Sequence, residues 1–424
     1  MRPGLLPKTA AVEGGALAIG GVRASELAAE HGTPLVVYCE QTILAAVRAY
    51  RETAPGALVL YGVKAFPNVA LLRLLAGEGL GADVSTLGEL EYALRAGVPG
   101  DRLVVHGNNK SDDELHAAAE AGARFVVLDA LDEVERTAAA GVQRVLVRVT
   151  PGIEADTHPA IRTAHHGSKF GLPPEQALQA IESARGAGLD VAGLHLHIGS
   201  QLLDTQAART SVDWLGGFAA ECRERFGWEP RVVDLGGGLG IEYVEGDQAP
   251  AISEFVGALL ERLEQAWALH GLERPELILE PGRSLVGHAG VTLYRVGVVK
   301  HASETAIYVA IDGGMSDNPR PQLYGARYSA LLANRADEDA AGSYIVCGKH
   351  CESGDVLIEG VALPEPRRGD LLAVPGTGAY TLAMGSNYNA VPRPAAVLVG
   401  NGEGRIIRRR ETLDDVLSAD VAGG

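Results

Sequence analysis

From residue 57 onward the chain alternates between two kinds of segment, and this alternation restricts its fold more than any other feature. Short apolar runs rich in β-branched residues stand at 57–65, 81–86, 102–108, 124–129, 144–150, 190–199, 231–237 and 276–283. Between them, 68–76, 86–96, 111–121, 131–140, 174–186, 205–226 and 251–270 carry apolar residues at helical spacing with little internal Gly or Pro. Eight strands alternating with helices predict a parallel (β/α)8 TIM-type barrel, an α/β architecture. The alternative is a doubly wound open sheet.

Beyond Gly287 the texture changes. Runs at 291–300, 306–311, 343–347, 356–363, 370–374, 395–399 and 405–410 read as strands separated by Gly and Pro, and only 324–334 and 377–384 read as helical. With 424 residues, two domains are expected: a barrel over 35–287, and a β-rich, Greek-key-like barrel domain made from 1–34 and 288–424.

Composition excludes several classes. The net charge of −17 disfavours a phosphate-backbone partner, so no nucleic acid is expected. No apolar run is long enough to span a membrane, and the first residues lack the pattern of a signal peptide. Cys39, Cys222, Cys347 and Cys351 are too few and scattered for a disulfide framework, which fits a reducing cytoplasm.

In such a barrel the chemistry lies at the C-terminal strand ends. Strand one ends in Tyr61–Ala65 and includes Lys64, one of only six lysines. A desolvated lysine there is a Schiff-base nucleophile, and a strand-end lysine that snorkels is the plainer reading. Strand two ends in Asp83 and Ser85, and strand three in His106–Lys110. Strand six ends in His195, His197 and Ser200. Alternation puts both histidines on one face, and either suits a satisfied core position. No third ligand stands at a zinc-like spacing, so no metal is expected. Gly236, Gly237 and Gly238 follow strand seven, where a barrel often holds phosphate, although a tight turn would use the same residues. Glu280, Gly282 and Arg283 end strand eight. The acid suits a heterocycle nitrogen and the guanidinium a phosphate or carboxylate, or the two could pair with each other. Together these are the parts of a pyridoxal phosphate site.

On these residues the chain resembles the fold-type-III pyridoxal phosphate decarboxylases, which pair a (β/α)8 barrel with a C-terminal β domain. Further runs at 107–111, 150–155, 311–321, 349–355 and 386–389 are similar to the diaminopimelate decarboxylases within that family, and the similarity spans roughly residues 35–399. The resemblance implies decarboxylation of meso-diaminopimelate to L-lysine by a homodimer with shared active sites. It implies that Lys64 bonds the cofactor aldehyde and that His197 stacks on the ring. Glu280 would pair with the ring nitrogen, and Asp83 would support Lys64. Ser200, Gly236–Gly238, Gly282, Arg283 and Tyr388 would surround the phosphate. Arg283, Arg320, Tyr324, Glu352 and Tyr388 would bind substrate, with Cys351 and Glu352 entering from the second subunit and Cys351 as proton donor. Phe66 departs from the family, which usually has Asn there. The polar segment 157–168 is a candidate lid.

Overall fold

A computed structural model of the chain describes residues 3–152, 168–197 and 199–421. The candidate lid therefore lies outside the described residues, apart from Ser168. The chain divides into two compact units. One comprises Ala46–Gly240 and Ala249–Ser284, the other Met1–Ala45, Ile241–Gln248 and Leu285–Gly424.

The first unit holds a closed barrel of eight strands. In chain order these are Leu58–Gly62, Gly81–Val84, Leu103–Val105, Phe125–Leu128, Arg144–Arg148, Asp190–His195, Val232–Asp234 and Glu276–Leu279. Each pairs in parallel with the next, and the eighth closes on the first through Ile278 opposite Leu58. Closure excludes the open doubly wound sheet. Its apolar interior includes Leu60, Val104, Phe125, Leu146 and Ile278, all almost fully buried.

The intervening helices begin where side chains can cap them. Asn68 accepts from Leu71 N at 3.0 Å, and Thr86 accepts from Glu89 N at 3.2 Å. Ser111 and Glu114 form a reciprocal capping box ahead of Asp112–Glu120. Each device satisfies amide groups that a helix start leaves unpaired.

The second unit is β-rich. The long strand Gly290–His301 pairs antiparallel with Leu35–Cys39 and Leu371–Pro375 near its start, and with Ile307–Ile311 near its end. Leu35–Cys39 thus joins this sheet, and it also pairs in parallel with Ala395–Gly400. Two apolar clusters fill the unit, one around Leu35, Val291 and Val397, the other around Tyr294, Val346 and Leu372.

The two helices expected here are corrected. The helix is Arg320–Tyr324, and Gly325 ends it in a left-handed conformation (φ 60°), so 324–334 is not helical and contains the short strand Leu331–Leu332. Across 377–384 there is only a 3-10 turn at Leu382–Met384. No described helix is long and apolar enough to cross a membrane.

Gly193 shows how tightly the barrel is drawn. A β-carbon there would stand 1.7 Å from the Val232 carbonyl oxygen, and the register against the fifth strand shifts beside it. Gly193→Ala should therefore cost about 2–3 kcal/mol or more, because backbone must move. Gly257→Ala, on a helix with open space around it, should gain up to about 1 kcal/mol. Thermal unfolding of the two variants checks the opposite signs.

Candidate active site

Three buried carboxylates gather at the C-terminal ends of the barrel strands: Asp83 near the end of strand two, Asp234 ending strand seven and Glu280 after strand eight. Buried acids need compensation. Lys64 Nζ lies 2.5 Å from Asp83 Oδ2, and His106 Nε2 lies 2.6 Å from Glu280 Oε1. His106 Nε2 also stands 3.6 Å from Asp83 Oδ1, and His195 Nε2 is 3.4 Å from Glu280 Oε2. The two imidazoles meet edge to face with centroids 4.8 Å apart.

These contacts divide the protonation states. Burial pushes the Glu280 carboxyl up, but the pull of His106 and His195 outweighs it and holds the group well below the usual carboxylate range. Asp234 goes the other way, raised by burial and then by the Glu280 charge. Burial lowers His195 to about 4 and carries His197 well below its ordinary value, so both rings are neutral near pH 7. Glu280 is therefore the ionised acid of the pair, and His197 is a flat, uncharged ring.

The Lys64 side chain is 45% exposed, as the plainer reading of a strand-end lysine has it, while its partner Asp83 is only 1% exposed. The amine is thus accessible, and it is oriented by a carboxylate that cannot turn to water.

The glycine triplet is required by close approach. At Gly236 a β-carbon would stand 2.5 Å from His197 Nδ1, at Gly237 2.3 Å from the Glu280 carbonyl oxygen, and at Gly238 2.8 Å from the Gly199 carbonyl oxygen. Gly236 and Gly238 also take positive φ values of 64° and 107°. The Gly237 N–H donates to His197 Nδ1 at 3.3 Å, tying the triplet to that ring. Arg283, opening the short helix Arg283–Val286, donates to Ser200 Oγ at 3.0 Å, and Gly282 lies in the turn just before it.

This donor set fits pyridoxal phosphate. It offers an accessible amine, an ionised acid for a ring nitrogen, a neutral ring to lie against the heterocycle, and a guanidinium and hydroxyl for the phosphate. Lys64, Asp83, His197, Ser200, Gly236–Gly238, Glu280, Gly282 and Arg283 all belong to this unit.

Three residues at this rim carry roles that sequence reading did not assign. His106 is the nearest partner of Glu280, although 174 positions separate them. Arg148, ending strand five, lies 3.6 Å from Asp129 and stacks over Phe170 at 4.8 Å. Lys110 is buried, and its ammonium donates to the carbonyls of Gly107 and Val127 and to Glu133, at 2.8, 2.8 and 3.0 Å. It thereby ties the ends of strands three and four together. His106, His195, Asp234 and Glu280 also bring four potential metal-ligand atoms within 4.8 Å of one another, which sequence spacing did not disclose. Both Glu280 oxygens already face an imidazole there.

The second unit carries the remaining expected residues. Cys351 and Glu352 lie on one exposed turn. The Cys351 N–H donates to Asn389 Oδ1 at 2.9 Å, and the Tyr388 hydroxyl donates to Glu352 at 3.4 Å. Tyr388 stacks on the buried His350 ring, which Asp355 fixes at 2.7 Å. Arg320 is 5% exposed; its guanidinium donates to the Tyr328 hydroxyl at 2.5 Å and lies over the Tyr243 ring at 4.5 Å. Tyr324 reaches Met384 Sδ at 4.0 Å.

Comparison with known proteins points to the same cofactor. Residues 40–287 match the family model described as pyridoxal-dependent decarboxylase, pyridoxal binding domain. The diaminopimelate decarboxylase of Actinosynnema pretiosum subsp. auranticum is 44% identical, over 99% of this chain and 96% of that protein. That of Bacillus subtilis is 42% identical, over 96% and 95%. Among solved structures, M. jannaschii diaminopimelate decarboxylase in complex with L-lysine superposes with a TM-score of 0.91 at 34% identity, covering 98% of each chain. The chain belongs to the diaminopimelate decarboxylase family of pyridoxal-dependent decarboxylases.

Proposed function

We propose that this chain removes one carboxylate of meso-diaminopimelate as carbon dioxide and releases L-lysine. The observation that carries the substrate reading is Arg320. It is a buried guanidinium whose described partners are two tyrosines rather than an acid. A buried cation without a counter-anion is costly, so the position favours a ligand that brings a carboxylate. Diaminopimelate has a second carboxylate remote from the reacting carbon, and ornithine and lysine do not.

Bound pyridoxal phosphate supplies an electron-withdrawing ring that takes up the electron pair left when carbon dioxide departs. Lys64 is the amine that holds the cofactor aldehyde, and Asp83 orients it. Glu280, kept ionised by His106 and His195, holds a proton at the ring nitrogen. His197, a neutral imidazole, would be the ring against which the heterocycle packs. Ser200, Gly236–Gly238, Gly282, Arg283 and Tyr388 hold the phosphate. Arg320 and Tyr324 take the distal carboxylate, Glu352 the distal ammonium, and Arg283 and Tyr388 also face the substrate. The carbon–carboxylate bond breaks, and a proton from the Cys351 thiol takes the vacated position on the same carbon.

In this reading Cys351 and Glu352 act in the partner's site of a homodimer. The four free thiols suit a reducing cytoplasm.

Carbon dioxide release from meso-diaminopimelate, with ornithine and lysine as competitors, tests the assignment. Lys64→Ala should lose all measurable turnover. Arg320→Ala should raise KM for diaminopimelate by about 30-fold or more, the cost of leaving a carboxylate unpaired. Ornithine as the better substrate of the intact enzyme would contradict the reading. Mixing inactive Lys64→Ala and Cys351→Ala proteins should restore about a quarter of wild-type activity if two chains share each site. No recovery after verified subunit exchange would rule out shared sites.

A further inference from the structure

Arg320 sits in an aromatic clamp. Its guanidinium carbon stands 4.5 Å from the Tyr243 ring centroid and 5.6 Å from that of Tyr328, and the two rings meet edge to face at 5.4 Å. The Tyr328 hydroxyl accepts from Nη1 at 2.5 Å, and the Arg320 amide donates to Asn318 at 3.4 Å. Both tyrosines are buried, and burial pushes the Tyr328 hydroxyl up to about 12, so it meets the guanidinium as a neutral phenol.

The chemistry of these partners differs from that around two other buried cations, Lys110 and Arg148. Lys110 has Glu133 at 3.0 Å, and Arg148 has Asp129 at 3.6 Å. Those charges are matched internally, as structural ions usually are. Tyrosine faces and phenol oxygens fix a guanidinium in place by cation–π attraction and hydrogen bonding, but they carry no charge. They hold the fork still and leave its charge for an incoming anion. An aspartate in place of Tyr328 would fix the fork equally well and compete with the ligand.

We propose that Tyr243 and Tyr328 are positioning residues that hold Arg320 as a preformed receptor for a carboxylate, and so set the preference for a substrate with a second carboxylate. This rests on the assignment of Arg320 to the distal carboxylate and adds the two groups that make it selective. Preorganisation removes the cost of ordering a long side chain at binding, so its loss should weaken binding rather than slow the chemistry.

The test uses the cofactor-loaded enzyme with Tyr328→Phe, which keeps the ring and removes the hydrogen bond. L-Lysine, the expected product, retains the distal carboxylate and serves as a binding probe by titration calorimetry. KM for meso-diaminopimelate and Kd for L-lysine should rise together by roughly ten-fold, with kcat changed less than about two-fold. Cofactor affinity and Tm should stay at wild-type values. Tyr243→Leu, which removes one ring face, should shift both constants in the same direction and serves if Tyr328→Phe does not fold. Constants within two-fold of wild type in the folded variants would overturn the inference, as would loss of kcat together with cofactor. Arg320→Gln separates the two levels. If it leaves both constants unchanged, the assignment of Arg320 fails; if it raises them and the tyrosine variants do not, only the clamp fails.

Discussion

A carboxylate taken out of water has to be matched, and the barrel rim is organised around three that are. Asp83, Asp234 and Glu280 come from strands two, seven and eight, which closure of the sheet brings to one end. Each finds a different solution. Asp83 takes the Lys64 ammonium, Glu280 takes two imidazoles, and Asp234 accepts from the Gly236 amide while burial pushes its carboxyl up. The compensation sets the chemistry. It leaves the accessible Lys64 amine, an ionised Glu280 and a neutral His197 within a single constellation.

The second unit applies the same rule in reverse. Lys110 and Arg148 show that this chain pairs buried cations with acids where the purpose is structural. Among the described residues, the partners of Arg320 are two tyrosines. A cation stabilised in place but not neutralised is a binding group, and that contrast gives the substrate reading a basis in electrostatics beyond family resemblance. The turn bearing Cys351 and Glu352 is likewise built, since Asp355 accepts from the Met315 amide at 2.7 Å and from both the amide and the ring of His350.

Much of this was legible in the sequence. The eight barrel strands could be read because parallel strands buried on both faces form short continuous apolar runs, and the helices because their period differs. Lys64, Asp83, His197, the glycine triplet, Glu280 and Arg283 could be read because the barrel presents strand ends at one rim. The remainder depends on partners distant in sequence. Whether Lys64 is desolvated is decided by what surrounds it, and it proved half-exposed. His106 stood at a strand end, but its partner is Glu280, far along the chain. Tyr328 was hidden inside a segment read as helix, because the helical spacing of 324–334 outweighed the Gly325 stop. Tyr243 reaches Arg320 only through the tertiary fold.

The central claim is that the Lys64 amine, held by Asp83 and facing an ionised Glu280, carries the cofactor aldehyde. Borohydride reduction of the cofactor-loaded protein, followed by proteolysis and mass spectrometry, tests it directly. A reduced pyridoxyl phosphate adduct is expected on the peptide containing Lys64 and on none of the peptides containing Lys8, Lys110, Lys169, Lys300 or Lys349. An adduct on one of those lysines in place of Lys64, or none in a protein that releases carbon dioxide from meso-diaminopimelate, would contradict it.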